Sequence, residues 1–349
     1  MERDVVIDCP MNEASGLLAI QNRSILRSHG WSVAFWTCSD EARVEEALGV
    51  IGRRGSGEWE VCRLDNVRAT PGRKTEDCEG MARRDPYVYI FGSQYGAKDG
   101  PLEARRQFVA RFNESAIRGK VDEAKISLEI ARGRFKIHRL INDALRDSGL
   151  DLIERGKREA KNIRKTRKRG KRKKKDWVSR VAKDDWPIDL EGVSFTPRGT
   201  LLLGLRYPVT RDGHPVFVEI DDVDSLFQDP PGDPKVLHVW VLENVGSPGR
   251  PRGVRALEEL RGELHVITGS LDSAPEESQL IEDHSEGEKA ESRHHRFRLP
   301  RDGGIALRAE RVQVLEDETK VEGLSIDGDG RFWYALDDEK VRLRCEAPR

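Results

Sequence analysis

Three glutamates in this chain share one local setting, each followed by glycine and, eight to ten residues on, by a short apolar run: Glu79-Gly80, Glu191-Gly192 and Glu322-Gly323. Two further positions fit the frame with other residues, Ser15 before Gly16 and Arg255 before Ala256. If the frame is a repeat whose equivalent positions converge, Ser15, Glu79, Glu191, Arg255 and Glu322 form one ring. Three carboxylates and one guanidinium then share a narrow channel. Carboxylates among backbone carbonyls suit Ca2+ or another divalent cation, and a bound ion polarises a carbonyl and lowers the pKa of a water, as ester or lactone hydrolysis requires. The ring has an equally physical structural reading. Arg255 lies between Glu191 and Glu322 in repeat order and can bind both, leaving no vacancy for a metal. The residues alone leave the two readings open and assign no cofactor. One position past the following strand is a second convergent set, Asp40, Gln94, Arg206 and Asp337, which falls at the mouth of such a channel.

The elements that must position these residues are short strands. Ser15 to Glu79 spans 64 positions, Glu191 to Arg255 another 64 and Arg255 to Glu322 67, whereas Glu79 to Glu191 spans 112, about 48 more than one unit. That surplus predicts an insertion. Within the clearest unit, runs at 191–195, 201–205, 216–220 and 236–242 are separated by Pro-Arg-Gly and Asp-Gly-His turns and a loop, so each unit holds four strands. A fixed repeat of four-strand units predicts an all-β fold, a β-propeller of five blades with six as the alternative count; an open pair of β-sandwiches fits the turn spacing less completely. The last unit stops after runs at 332–336 and 341–345, and the chain opens on an orphan run at 4–8. A fourth strand supplied from the N-terminus would close the ring without leaving an edge. The expected organisation is propeller blades over 1–120, a helical and Lys/Arg-rich insertion over 121–185, and blades again over 186–349.

Ile188-Asp189-Leu190-Glu191-Gly192-Val193-Ser194-Phe195, Gly199 to Pro208, Tyr89-Ile90-Phe91-Gly92-Ser93, Gly253-Val254-Arg255-Ala256-Leu257 and Val321-Glu322-Gly323-Leu324 resemble, in the same order, the bacterial family catalogued as domain of unknown function 3616. The resemblance implies a propeller fold and no established activity. More distantly, the Glu-Gly strands are similar to those of phytase-like esterase and gluconolactonase or regucalcin-type propellers, whose channel carboxylates hold a divalent metal.

A net charge of −1 over 349 residues conceals a segregation. Between 157 and 175, 13 of 19 residues are Lys or Arg and one is acidic, a segment of +12 on a body of −13. Upstream, 134–146 carries apolar residues at 137, 140, 141 and 145 and stops at Gly149, which predicts a helix. The basic stretch after it is expected to be a charged, fraying extension. Arg164, Lys165, Arg167, Lys168, Arg169, Lys171, Arg172, Lys173, Lys174 and Lys175 suffice for salt-sensitive, sequence-blind docking to a nucleic-acid backbone, or to the acidic surface of a protein partner. The acidic stretch 276–291 is expected to be an exposed loop, and the adjacent His294 and His295 to point to opposite strand faces and share no metal.

No run approaches 18 apolar residues and no charged-then-apolar leader opens the chain, so no membrane span or secretory signal is expected. Five unclustered cysteines without Cys-x-x-Cys spacing read as reduced thiols, which points to the cytoplasm. Phosphate loops, nucleophile elbows, His-Glu-x-x-His and dinucleotide fingerprints are absent, and Asp327-Gly328-Asp329-Gly330 reads as a turn. The sequence therefore predicts a binding or scaffold module with a basic arm. Its alternative is a metal-dependent esterase or lactonase-like hydrolase working in the channel.

Overall fold

A computed structural model describes residues 4–7, 14–39, 42–97, 100–272, 278–288, 290–300, 304–315, 320–336 and 341–346. Their strands form five sheets of four or five members. Each sheet is headed by the strand that carries, or directly follows, one ring position: Gly16–Ala19, Cys78–Arg84, Asp189–Phe195, Gly253–Leu260 and Val321–Ile326. From that strand each sheet runs outward through antiparallel neighbours, for example Asp189–Phe195, Leu201–Tyr207, Val216–Asp221 and Lys235–Glu243; the two five-membered sheets add an outermost strand in parallel, Val67–Ala69 and Ala306–Arg308. In the fifth sheet, Val341–Glu346 pairs antiparallel with Asp4–Ile7. The five leading strands touch in cyclic order, the fifth meeting the first. The fold is mostly β and propeller-like.

Alternation along the strands sends successive side chains to opposite sheet faces, and both faces are apolar because each sheet has a neighbour on either side. Leu203, Val216 and Val218 pack with Tyr89 and Phe91 of the second sheet, while Leu202 and Phe217 pack with Val254, Leu257 and Val266 of the fourth. Phe35 and Ile51 of the first sheet pack with Trp333 and Leu343 of the fifth.

Four of the ring positions are β-bulges. The pairing register slips between Cys78 and Gly80, Leu190 and Gly192, Val254 and Ala256, and Val321 and Gly323, so Glu79, Glu191, Arg255 and Glu322 stand out of the ladder. A bulge re-aims its side chain, here toward the axis. The following glycine has its own cause. A Cβ on Gly80 would lie 2.6 Å from Val193 Cγ2, one on Gly192 2.5 Å from Val254 Cγ1, and one on Gly323 3.0 Å from Leu17 Cβ. Glycine there lets each leading strand approach that of the next sheet.

The insertion differs from expectation at both ends. Ile126–Ala131, inside the expected 121–185 span, is a strand of the second sheet paired with Val109–Asn113. The helix Lys136–Asp147 buries Ile137, Ile141 and Leu145. The basic stretch is not a fraying extension: it is a second helix, Lys157–Arg172, docked on the body. Its inward residues, Glu159, Asn162, Ile163, Thr166 and Gly170, recur at helical spacing, yet only Ile163 is a large apolar residue. Polar contacts hold this helix down. Asp283 Oδ2 accepts hydrogen bonds from the Arg158 and Glu159 N–H groups at 2.8 and 3.0 Å, placing a carboxylate on the helix N-terminus. Thr166 Oγ1 accepts from the Leu102 N–H at 2.9 Å, and Ile163 packs with Leu102, Phe135 and Trp177.

The acidic stretch corrects a second expectation. Its described residues include a short helix, Gln279–Asp283, with Leu280 and Ile281 buried. It packs against the basic helix.

Candidate functional site: a cross-paired axis and an unpaired basic helix

At the axis, Ser15, Glu79, Glu191 and Glu322 line one small space. Arg255, 1 % exposed, reaches across it, with Nε 3.2 Å from Glu191 Oε2 and Nη2 in an ion pair with Glu322. Arg206, expected at the mouth, belongs to the same network. It donates from Nε and Nη2 to Asp189 Oδ2 at 2.8 and 2.6 Å and pairs with Glu191. Arg106 binds Asp77 at 2.9 Å. Burial pushes Glu191 up to about 8 against the pull of Arg206 and Arg255, while the surrounding carboxylates outweigh burial and raise Arg206 well above its ordinary range. Glu79 is the exception: it has no hydrogen-bond or ion-pair partner among the described residues. Burial, then the negative charges of Asp77, Glu191 and Glu322, raise its pKa well above the usual carboxylate range.

The space these side chains enclose admits the centre of a water-sized sphere over only about 10 Å³, room for roughly one water. Among the described residues, no three of the ring's carboxylates bring oxygens within 4.8 Å of one another. Its ion pairs tie the third, fourth and fifth leading strands together.

Gln94 does not face the axis openly. It is buried at φ 64°, donates from Nε2 to the Gly92 carbonyl at 2.9 Å and accepts on its own carbonyl from Gln107 at 2.5 Å, so it shapes a turn. Asp40 and Asp337 lie outside the described residues. Asp327 forms the expected turn, its Oδ1 accepting from the Asp329 and Arg331 N–H groups at 2.9 Å. His294 bonds His265 at 3.0 Å and Tyr334 at 2.8 Å, while His295 lies among Arg252, Arg293 and Arg311; the two share no site. A wider cleft of about 430 Å³ lies among Glu263, Arg296, Arg298, Arg308 and Glu310. Its charges are cross-paired as well, Arg296 with Glu310 at 2.8 Å and Arg298 with Glu263 at 2.9 Å.

The basic helix is the opposite case. Lys157, Lys161, Arg164, Lys165, Lys168, Lys171 and Arg172 are exposed and follow helical spacing along one face, continued by exposed Lys173 and Lys174. None of them has an ion-pair partner among the described residues. The remaining cations are spent on docking or half-buried: Arg158 pairs with Glu282 and Arg169 with Glu103, while Arg167 and Lys175 are part-covered. At 1.5 Å per residue the 16-residue helix presents a cationic strip about 24 Å long.

Sequence reasoning placed Arg206 at the mouth; Asp189, two residues ahead of Glu191 as Asp77 is ahead of Glu79, was the signal that could have placed it. Another grouping had no sequence signal. The ligand atoms of His29, Glu60 and Cys62 lie within 4.8 Å of one another, although the first two are 31 positions apart.

Residues 24–230 match the model of the family described as "Protein of unknown function (DUF3616)". The chain belongs to this family. No curated protein matches its sequence. Among solved structures, the chain is similar to the soluble aldose sugar dehydrogenase of Escherichia coli (9 % identity, 99 % of each chain covered, TM-score 0.43). It is similar also to a glucose dehydrogenase (11 %, 99 % of each chain, 0.43) and to Myxococcus xanthus glutaminyl cyclase (10 %, 99 % and 97 %, 0.33). At these identities and scores the likeness concerns the course of the chain and carries no argument about activity. In this member of the family, no described helix is long and apolar enough to cross a membrane, and the four described cysteines, 38, 62, 78 and 345, are free thiols.

Proposed function

We propose that this protein is a binding module whose docked basic helix holds a nucleic-acid backbone. The observation that carries the reading is the exposed face of Lys157–Arg172, a row of cations without ion-pair partners among the described residues, beside a body that pairs nearly every other charge it buries. A strip of this kind releases condensed counterions from phosphates and gives affinity that falls steeply with salt. The face carries no aromatic or large aliphatic side chain. Protein interfaces draw their energy from such anchors, whereas nucleic-acid interfaces are polar and strongly positive, so a phosphate backbone fits better than an acidic protein. With no side chain there to read base edges, binding should be blind to sequence.

The reading extends to the scaffold: a five-bladed propeller closed by Asp4–Ile7. The antiparallel pairing of that strand with Val341–Glu346 and the cyclic contacts of the five leading strands support it. Deleting residues 1–7 should cost several kcal/mol in denaturant unfolding, because it strips a ladder and exposes an edge; a truncated protein that unfolds with the parent contradicts closure.

Mobility-shift titration with duplex and single-stranded nucleic acid at low and physiological salt tests the function. The expected result is binding at low salt that weakens by orders of magnitude at physiological salt and is strongly reduced when Lys161, Arg164, Lys165 and Lys168 become Gln. No binding at low salt refutes the reading, and capture of an acidic protein by the same face would put a protein partner in its place.

A further inference from the structure

We propose that His29, Glu60, Cys62 and Asp122 form a zinc-binding site that clips the first sheet to the second. Three parts of the fold converge there. His29 ends the helix Arg23–His29, Glu60 and Cys62 share one face of the outer strand Trp59–Arg63, and Asp122 lies in the connection between Val109–Asn113 and Ile126–Ala131 of the second sheet. One nitrogen, one sulfur and one carboxylate oxygen of the first three lie within 4.8 Å of one another. Asp122 Oδ1 stands 3.8 Å from His29 Nε2. Two ligand atoms on one tetrahedral zinc ion stand about 3.6 Å apart, as Zn–S and Zn–N bonds of about 2.3 and 2.1 Å require. His29, Glu60 and Cys62 therefore close on an ion by movements of up to about 1 Å, and Asp122, exposed and near His29 alone of the three, swings in as the fourth ligand.

The donor set selects the metal. Imidazole, thiolate and carboxylate together suit zinc's tetrahedral site, and a hard ion such as Ca2+ or Mg2+ would not choose a thiolate. The ligands are also held as metal ligands are held. The His29 ring stacks on Trp31 with centroids 3.8 Å apart and planes 8° from parallel. Glu60 accepts from Trp31 Nε1 and pairs with Arg54 at 2.7 Å, leaving lone pairs on both oxygens. Nε2 of His29 accepts a hydrogen bond from the Val121 N–H at 2.9 Å, so coordination at that nitrogen exchanges this bond for the metal. Cys62 is half-buried beside Glu60 and carries no disulfide; coordination releases its proton as the thiolate binds.

The test is a titration of the whole protein with Zn2+ and with Co2+ as its spectroscopic substitute. One equivalent of Co2+ should produce thiolate-to-metal charge-transfer absorption that stoichiometric Zn2+ abolishes. The band should be lost in Cys62→Ser and kept in Cys345→Ser, a half-buried thiol elsewhere. Zn2+ affinity should fall at least about tenfold in Cys62→Ser and in Asp122→Asn; the latter changes an exposed residue and decides the matter if the cysteine variant misfolds. The site is refuted if Co2+ adds no such band, if the band survives in Cys62→Ser, or if Asp122→Asn binds Zn2+ as the parent does.

Discussion

The axis and the basic helix are both dense in charge, and they differ in what surrounds it. At the axis, Arg255 and Arg206 are held between Asp189, Glu191 and Glu322 inside a space too small for more than about one water. A charge removed from water is tolerated only when partnered, and both guanidiniums of the ring are paired inward, where they hold strands together. On the exposed face of the helix, cations stand in water, where no partner is required, and none is supplied among the described residues. The contrast separates charge that serves the fold from charge that remains available to something else.

Breaking the ring should have the largest effect. Arg255→Ala leaves Glu191 and Glu322 facing each other without their shared cation and should cost about 3–5 kcal/mol in urea or guanidinium unfolding. Adding Glu191→Gln and Glu322→Gln should recover most of it. A single variant as stable as the parent would mean that the ring's pairing does not hold the strands.

Next comes the glycine that follows each bulge. Gly192→Ala sets a Cβ 2.5 Å from Val254 Cγ1 and 3.1 Å from Leu257 Cβ, so the third and fourth leading strands must part. Overpacking of this kind costs about 1–3 kcal/mol. Gly199→Ala, at φ 81° with nothing within 4 Å of the added carbon, separates backbone strain from crowding: thermal denaturation should show Gly192→Ala lowering stability without any positive φ to explain it.

The helix's attachment should respond to pH. Burial lowers the His284 pKa, but the Glu159 carboxylate at 3.1 Å outweighs it and the net shift is upward. A histidine whose folded pKa is raised contributes stability that is complete below its ordinary value near 6.5 and is lost as pH climbs through the folded value. Hydrogen exchange at the first turn of Lys157–Arg172 should therefore speed up as pH rises above about 6.5, beyond the intrinsic rate, by an opening free energy on the order of 1 kcal/mol. His284→Gln should flatten that dependence.

Much of the scaffold was legible because one local event recurs. The Glu-Gly pair marks a bulge and a close approach, and both demand particular residue types wherever they occur, which made the repeat visible in Glu79, Glu191 and Glu322 and recoverable in Ser15 and Arg255. The basic helix was not legible for the same physical reason that it is unusual. Its buried stripe, Glu159, Asn162, Ile163, Thr166 and Gly170, is polar or small except at Ile163, so hydrophobic periodicity had almost nothing to report, and the partners that hold it, Asp283, Leu102 and Trp177, lie far away or across a turn. Arg206 was misplaced because side-chain reach, not strand position, joins it to Asp189 and Glu191. His29, Glu60, Cys62 and Asp122 come from three separate elements with no spacing rule between them.

The smallest effect on stability should accompany the largest on binding. Lys161, Arg164, Lys165 and Lys168 are exposed and have no ion-pair partner among the described residues, so their joint replacement by Gln should leave unfolding within about 0.5 kcal/mol of the parent per site. The most direct measurement is the slope of log affinity for duplex DNA against log salt, compared between parent and this variant. Each phosphate that the variant leaves unneutralised should lower the magnitude of the slope by about 0.9, so the account predicts a parent whose affinity falls linearly with log salt and a variant whose slope is smaller by about 3–4. Equal slopes in the two proteins, with the variant's fold intact, would contradict it.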